Sequence, residues 1–170
     1  MLAYDHYQSP QGPMIITATS KGLAGVYFKG QKHFPPQRDW RRDARNAVVR
    51  QAKRELAQYF AGRRTRFSVA LDPQGTAFQR SVWKQIAKVG FGKTLTYGEL
   101  ARRAGHPGSA RAAGAATGRN PIGIIVPCHR IMGADGSLTG YAGGLGRKRA
   151  LLALEVPRAR SPAERCGVRR

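Results

Sequence analysis

Cys128 and His129 stand side by side in the stretch Val126-Pro127-Cys128-His129-Arg130. A thiol next to an imidazole is a candidate nucleophile with a base at hand. The apolar run Ile122-Gly123-Ile124-Ile125-Val126 leads in and predicts a buried strand. That strand would stop at Pro127, which has no N–H for a ladder and a fixed φ. The pentapeptide leaves a second reading open, in which Cys128 packs in the core as a small hydrophobe. The surroundings of the thiol decide between the two.

Charge is the loudest compositional feature. Thirty Lys and Arg face nine Asp and Glu, a formal +21 over 170 residues. Solubility asks for about 2–8 in a small domain, so the excess predicts a polyanionic partner. Nucleic acid fits better than a membrane, because no amphipathic anchor accompanies the charge. A hydrophobic fraction of 41% predicts a folded chain. With no apolar run of spanning length and no signal peptide at Met1-Leu2-Ala3-Tyr4, the expectation is a soluble, cytoplasmic protein. Two cysteines cannot form a disulfide framework or a multi-cysteine zinc site. The second, Cys166, sits in a tail from Arg158 to Arg170 with five arginines, expected to be disordered.

The positioning elements can be read from either end. Leu2–Tyr7, Met14–Thr19 and Leu23–Phe28 read as a meander around turn-rich segments, and residues 29–40 as a loop. From about Asp43 to Phe60, Ala44, Val48, Ala52, Leu56 and Phe60 recur every fourth residue and predict a helix. Phe67–Leu71 alternates and reads as a further strand, and Asp72-Pro73-Gln74-Gly75 as a domain boundary. Helices then dominate. Thr76 with Gln79, and Thr96 with Glu99, predict capping boxes at two helix starts. Ser109 can cap a third helix from Ala110 to about Gly118, and a last one runs from Leu145 to Glu155.

Two short helices around a Gly-containing turn, in a basic chain, predict a helix-turn-helix. The second of them is built of Ala and Gly, with Arg111 its one long side chain near the start. A reader of major-groove base edges carries several polar side chains. Their scarcity suggests shape or minor-groove binding, while tight helix packing in a core remains an alternative. Gly140-Tyr141-Ala142-Gly143-Gly144 would let a flat ligand lie close to the backbone.

Asn120-Pro121, Val126-Pro127-Cys128-His129-Arg130 and Tyr141-Ala142-Gly143-Gly144-Leu145 together resemble the O6-alkylguanine-DNA alkyltransferases (methylated-DNA–protein-cysteine methyltransferases). The resemblance runs without gaps from Thr76 to Glu155, and covers residues 1–75 only in general layout. It implies an α+β protein: a small sheet-plus-helix, RNase H-like domain at 1–72 and a mostly helical, winged helix-turn-helix domain at 76–157, followed by the basic tail at 158–170. It implies irreversible, single-use transfer of an alkyl group from O6-alkylguanine in duplex DNA to Cys128, after minor-groove binding and nucleotide flipping. O4-alkylthymine is a further candidate substrate, and the protein would act as a monomer with cooperative binding left open.

By the same resemblance His129 would act through a water as the base for Cys128, with Glu155 polarising it. Asn120 would hold the turn, and Tyr97 would donate to guanine as it leaves. Arg111 would replace the flipped nucleotide in the stack, with Ser109, Ala110, Ala112, Thr96 and Arg119 as further DNA contacts. Tyr141, Ala142, Gly143, Ile131 and Val126 would line the guanine pocket, and Gly123, where some members carry proline, would make it roomier. No metal and no cofactor is called for. An N-terminal zinc site, present in some relatives, is not expected, nor is the cysteine-rich domain of a fused version. A damage sensor without repair, a thiol hydrolase and a helix-turn-helix transcription factor are the competing readings.

Overall fold

The computed structural model describes residues 1–156. The arginine-rich tail, Cys166 and Pro157 therefore lie outside the described residues. The N-terminal half holds a four-stranded sheet in the order β3-β2-β1-β4, from β1 (Leu2–Ser9), β2 (Gly12–Ala18), β3 (Leu23–Phe28) and β4 (Trp40–Arg42). The first three pair antiparallel around short turns, as the meander reading predicts. β4 pairs parallel to β1, an edge strand of three residues that begins at Trp40, the last residue of the expected loop.

Helix α1 (Ala47–Phe60) begins at Asn46, whose side chain accepts from Val49 N, rather than at Asp43. Its buried face is Val49, Ala52, Glu55, Leu56 and Tyr59, which keeps Ala52 and Leu56 of the every-fourth series and leaves Val48 and Phe60 partly buried at its edges. A strict i+4 repeat drifts by about 40° per step around a helix, whereas mixed steps of three and four stay on one face. Each aliphatic side chain fully buried there contributes about 1.5–3 kcal/mol.

The strand expected at Phe67–Leu71 is absent. The N–H groups of Ser68 and Val69 donate to the buried Glu55 carboxylate at 2.6 and 3.3 Å, and only Leu71 bridges to Leu23. A carboxylate thus takes the place of a ladder.

Beyond Gly75 come α2 (Ala77–Ile86), β5 (Leu95–Thr96), α3 (Tyr97–Arg103), α4 (Ala110–Gly118), a 3₁₀ turn (Cys128–Arg130), β6 (Ile131–Met132) and α5 (Leu145–Glu155). The capping box at Thr76 and Gln79 forms in full. At Thr96 only half of it forms: Thr96 Oγ1 accepts from Glu99 N at 3.2 Å, but the Glu99 carboxylate pairs with Arg102 and Arg103 instead. Ser109 occupies the N-cap of α4 without a side-chain bond to the helix. The two halves share one core, in which Val49, Leu56 and Tyr59 join the same cluster as Val82, Leu100, Ile122 and Leu151. No helix among the described residues is long and apolar enough to cross a membrane.

Candidate active site

The run into Cys128 is buried but is not a strand. Ile122 and Ile124 are wholly covered, and the chain folds back on itself through Val126 N→Ile122 O at 3.0 Å and Cys128 N→Val126 O at 2.8 Å. Its one ladder contact is a bridge from Ile122 to Val26. Ile124 sits at φ 68°, a region a β-branched residue enters only when its surroundings impose it, at a cost of about 1–3 kcal/mol. Asn120 supplies much of that imposition. Its Nδ2 donates to Val126 O at 2.8 Å and Ile122 O at 3.3 Å, and its Oδ1 accepts from Ile122 N at 3.0 Å. Apolar content alone misled the strand reading, because a buried run satisfied by a side-chain amide looks the same in sequence as one satisfied by a ladder.

Cys128 therefore starts a tight turn, 8% exposed, at the wall of a cavity of about 340 Å³. Tyr97, Gly114 and Gly118 form one side of this cavity and Tyr141 and Ala142 another. A larger hollow of about 700 Å³ lies between Phe67, Phe91, Pro127 and Arg130, but Cys128 does not line it. The parallel pairing of β5 with β6 holds the start of α3 beside the residues that follow the turn. That pairing brings Tyr97 to the thiol's cavity, where its hydroxyl donates to Thr139 O at 3.3 Å.

Behind the thiol, His129 is fully buried, and its Nε2 lies 2.7 Å from Glu155 Oε2. Glu155 also accepts from Arg130 Nε at 2.7 Å, Arg130 Nη2 at 3.0 Å and Tyr59 Oη at 2.5 Å. Burial opposes its charge, yet the hydrogen bonds from His129, Arg130 and Tyr59 hold its pKa at about 2. An ionised Glu155 fixes the proton of His129 on Nε2, which leaves Nδ1 as the basic atom. That Nδ1 is buried and meets no hydrogen-bonding partner among the described residues. Burial, only partly offset by Glu155, keeps His129 below its ordinary pKa and hence neutral.

Burial likewise pushes the Cys128 thiol up, against the pull of Asn120, the Lys148 ammonium and the N–H groups of Cys128 and His129. Lys148 is a fully buried cation on α5, with Nζ donating to Ile131 O at 2.6 Å, Thr139 O at 2.8 Å and Gly140 O at 3.3 Å. Tyr141 is pushed well above its ordinary pKa, first by burial and then by Cys128, so its hydroxyl stays protonated. The arrangement can bring a thiol to an alkyl carbon, take up its proton and hold the ion pair that results.

Of the residues singled out from sequence, Cys128, Tyr97, Tyr141 and Ala142 share the cavity, and His129, Glu155 and Asn120 stand behind it. Arg111, Ala112 and Arg119 are exposed on or just after α4, with Ser109, Ala110 and Thr96 half-buried at helix starts. Gly143 packs against Tyr141 and Phe28 rather than on the cavity wall, and Ile131 and Val126 are core residues. Gly123 is not brought to the cavity. Its N–H bonds Val26 O at 3.1 Å, and a Cβ would meet that oxygen at 3.2 Å, so the roomier pocket expected from it has no basis in these walls.

Sequence reasoning passed over Tyr59, Arg130 and Lys148. Lys148 and Glu155 did carry a signal, since with Leu151 they occupy one helical face at i, i+3 and i+7, a buried face with a charge at each end. Tyr59 carried none, its partner being 96 residues away. Among the described residues no group of three or more His, Cys, Asp or Glu side chains is placed to hold a metal ion.

The family model for the 6-O-methylguanine DNA methyltransferase DNA-binding domain matches residues 77–156, and that for its ribonuclease-like domain matches residues 2–73. The methylated-DNA–protein-cysteine methyltransferase of Mycobacterium tuberculosis is 45% identical over 164 residues, 96% of this chain and 97% of its own length. That of Methanosarcina acetivorans is 46% identical over 153 residues, covering 89% and 97%. The crystal structure of the M. tuberculosis O6-methylguanine methyltransferase superposes with a TM-score of 0.85 at 44% identity over 99% of both chains. The M. tuberculosis enzyme in complex with DNA gives 0.83 over 92% of this chain and 96% of that one. With a relative 45% identical along nearly the whole of both chains, and both of the family's domain models in place, the chain belongs to the methylated-DNA–protein-cysteine methyltransferases.

Proposed function

We propose that the protein repairs alkylated DNA by moving the alkyl group of O6-alkylguanine onto Cys128, once per molecule. The observation that carries this is the thiol at the cavity wall with a buried pair, neutral His129 on ionised Glu155, behind it. Transfer forms a bond from Cys128 Sγ to the alkyl carbon and breaks that carbon's bond to guanine O6. The thiol proton passes to His129 Nδ1 through a water, and Tyr97 gives a hydrogen bond or proton to guanine as it leaves. The product is a thioether with no route back to a thiol, which is why one turnover suffices to consume the protein.

Duplex DNA is approached through the exposed face of α4, whose small side chains suit the minor groove at any sequence. Arg111 enters the stack in place of the flipped nucleotide, offsetting part of the flipping cost. Ser109, Ala110, Ala112, Thr96 and Arg119 support this contact, and Tyr141 and Ala142 hold the base. The two units, 1–72 and 76–157, act together in the cytoplasm as a monomer.

Incubation with a duplex containing O6-methylguanine, followed by intact mass, tests the reading. One methylene gained on the tryptic peptide containing Cys128, and no more than one per protein, is expected. Repeated turnover, or methylation that survives Cys128→Ala, would sink it.

A further inference from the structure

Part of the cavity wall comes from the N-terminal half. Lys32 and His33, both exposed, line the same cavity as Cys128, Tyr141 and Ala142. Their loop is anchored there, since Lys32 N donates to Ala142 O at 3.0 Å and ties the loop to the segment carrying Tyr141. Its other end is pinned by Gln31, whose N–H donates to Phe28 O at 3.1 Å while its Oε1 accepts from Phe28 N at 2.8 Å. Lys32 is therefore held at the pocket rather than swinging on a free loop.

His33 is one of three non-glycine residues at positive φ among the described residues, at 61°. Such strain collects at functional sites. The imidazole stands among cations: burial, then Arg119, then Lys32 lower its pKa. Arg119 and His33 also line an adjoining hollow of about 220 Å³ beside Gly118. Among the described residues no Asp or Glu lines either cavity, so nothing acidic there offsets the Lys32 and Arg119 charges at the walls. Two exposed cations beside an imidazole, with no carboxylate at the walls, make a local positive potential that attracts an anion.

Resting on the alkyl-transfer reading above, we propose that Lys32, His33 and Arg119 form a phosphate-binding lip at the mouth of the alkyl-transfer cavity. The lip takes a backbone phosphate of the extruded nucleotide, so the N-terminal half touches the DNA at the one nucleotide that leaves the helix. Base and phosphate of that nucleotide are then gripped by different parts of the chain, the base by Tyr141 and Ala142 and the phosphate by the lip. A free alkylated base has no phosphate and would not use the lip.

The test compares two substrates. Single-turnover transfer to Cys128 is measured by intact mass from a duplex containing O6-methylguanine and from the free base O6-benzylguanine. Both are run with the native full-length protein, Lys32→Glu, the double variant Lys32→Ala/His33→Ala, and Lys32→Arg. The ratio of the duplex rate to the free-base rate is expected to fall about tenfold in the first two variants and to recover in Lys32→Arg. The salt dependence of duplex binding is expected to flatten by about one unit of slope for each phosphate no longer neutralised. A ratio and salt slope equal to the native values, or a rate loss shared equally by the two substrates, overturns the lip. A native protein that takes no alkyl group from either substrate overturns the alkyl-transfer reading itself, and the lip falls with it.

Discussion

Tyr59 Oη donates to Glu155 Oε2 at 2.5 Å, joining α1 of the N-terminal half to the last residue of α5. The same carboxylate oxygen meets His129 Nε2. The sheet-and-helix half is thus wired into the group that orients the base behind the thiol. At Glu155 its contribution is positional, made through one buried hydroxyl.

Tyr59→Phe removes that donor with little change in volume. Glu155 keeps its bonds to Arg130 and His129, so the site stays assembled. A hydrogen bond to a charged group contributes about 1.5–3 kcal/mol, and the variant is expected to be less stable by that much. Urea unfolding measures the difference, and single-turnover transfer should slow several-fold as His129 is held less firmly. Native stability in the variant would mean that the hydroxyl contributes nothing beyond its packing.

Elements built from local rules were legible in the sequence. The Thr76–Gln79 capping box, the bulk-free α4 and the limits of α5 follow from caps, composition and periodicity, and the structure has all three. What was not legible depends on distant partners. Ile122–Val126 and Phe67–Leu71 both read as strands because they are apolar or alternating. In the fold, the Asn120 amide and the Glu55 carboxylate satisfy their backbones instead. The site divides the same way. Cys128 and His129 announce themselves as neighbours, whereas Tyr59 and the carbonyl cage around Lys148 arise only when remote segments meet.

Asn120→Asp is expected to damage the site through two effects at once. The carboxylate can still accept from Ile122 N, but it cannot donate to Val126 O or Ile122 O. Val126 O and Ile122 O each keep one backbone donor but lose the amide, at about 0.5–1.5 kcal/mol each, and the turn that holds Ile124 at positive φ loosens. The new negative charge would also push the Cys128 thiol further up, where the amide now pulls it down. Thiol titration by reaction with iodoacetamide across pH should show the midpoint moving to higher pH, with transfer slowed at neutral pH. An unchanged midpoint would contradict this account.

Acid should unfold the protein partly through Glu155. Its pKa falls from an ordinary 4.5 to about 2 in the fold. A depressed carboxylate contributes stability that is fully present above pH 4.5 and is lost as pH falls through the folded value. The difference corresponds to about 3 kcal/mol. His129, lowered by burial, adds a slope of the same sign that begins below its ordinary 6.5. Asp5, held at about 2 with Lys53 and Arg42 as partners, adds another below about pH 4. The difference between the native protein and Glu155→Gln reports the Glu155 share together with its hold on His129, while the Asp5 share cancels. Unfolding free energies from about pH 7 to about pH 3 should fall less steeply in the variant below the ordinary carboxylate pKa, from a lower starting value.

Lys148→Met keeps the length of the side chain and deletes its charge. The ammonium holds Ile131 O, Thr139 O and Gly140 O together, so its removal frees the segment that leads into Tyr141. It also removes a cation that favours the Cys128 thiolate, in a place where burial already works against ionisation. Two separate readouts follow. Amide exchange should quicken at residues 139–142, which reports the loosened segment. Alkylation of Cys128 by iodoacetamide at neutral pH should slow by about tenfold, because loss of the Lys148 charge pushes the thiol further up. Faster exchange with unchanged alkylation would assign Lys148 to holding the loop alone. The reverse result would assign it to the thiolate alone. The buried cage of carbonyls argues that both will move, because a cation this far from water is kept in place by the same bonds that aim it.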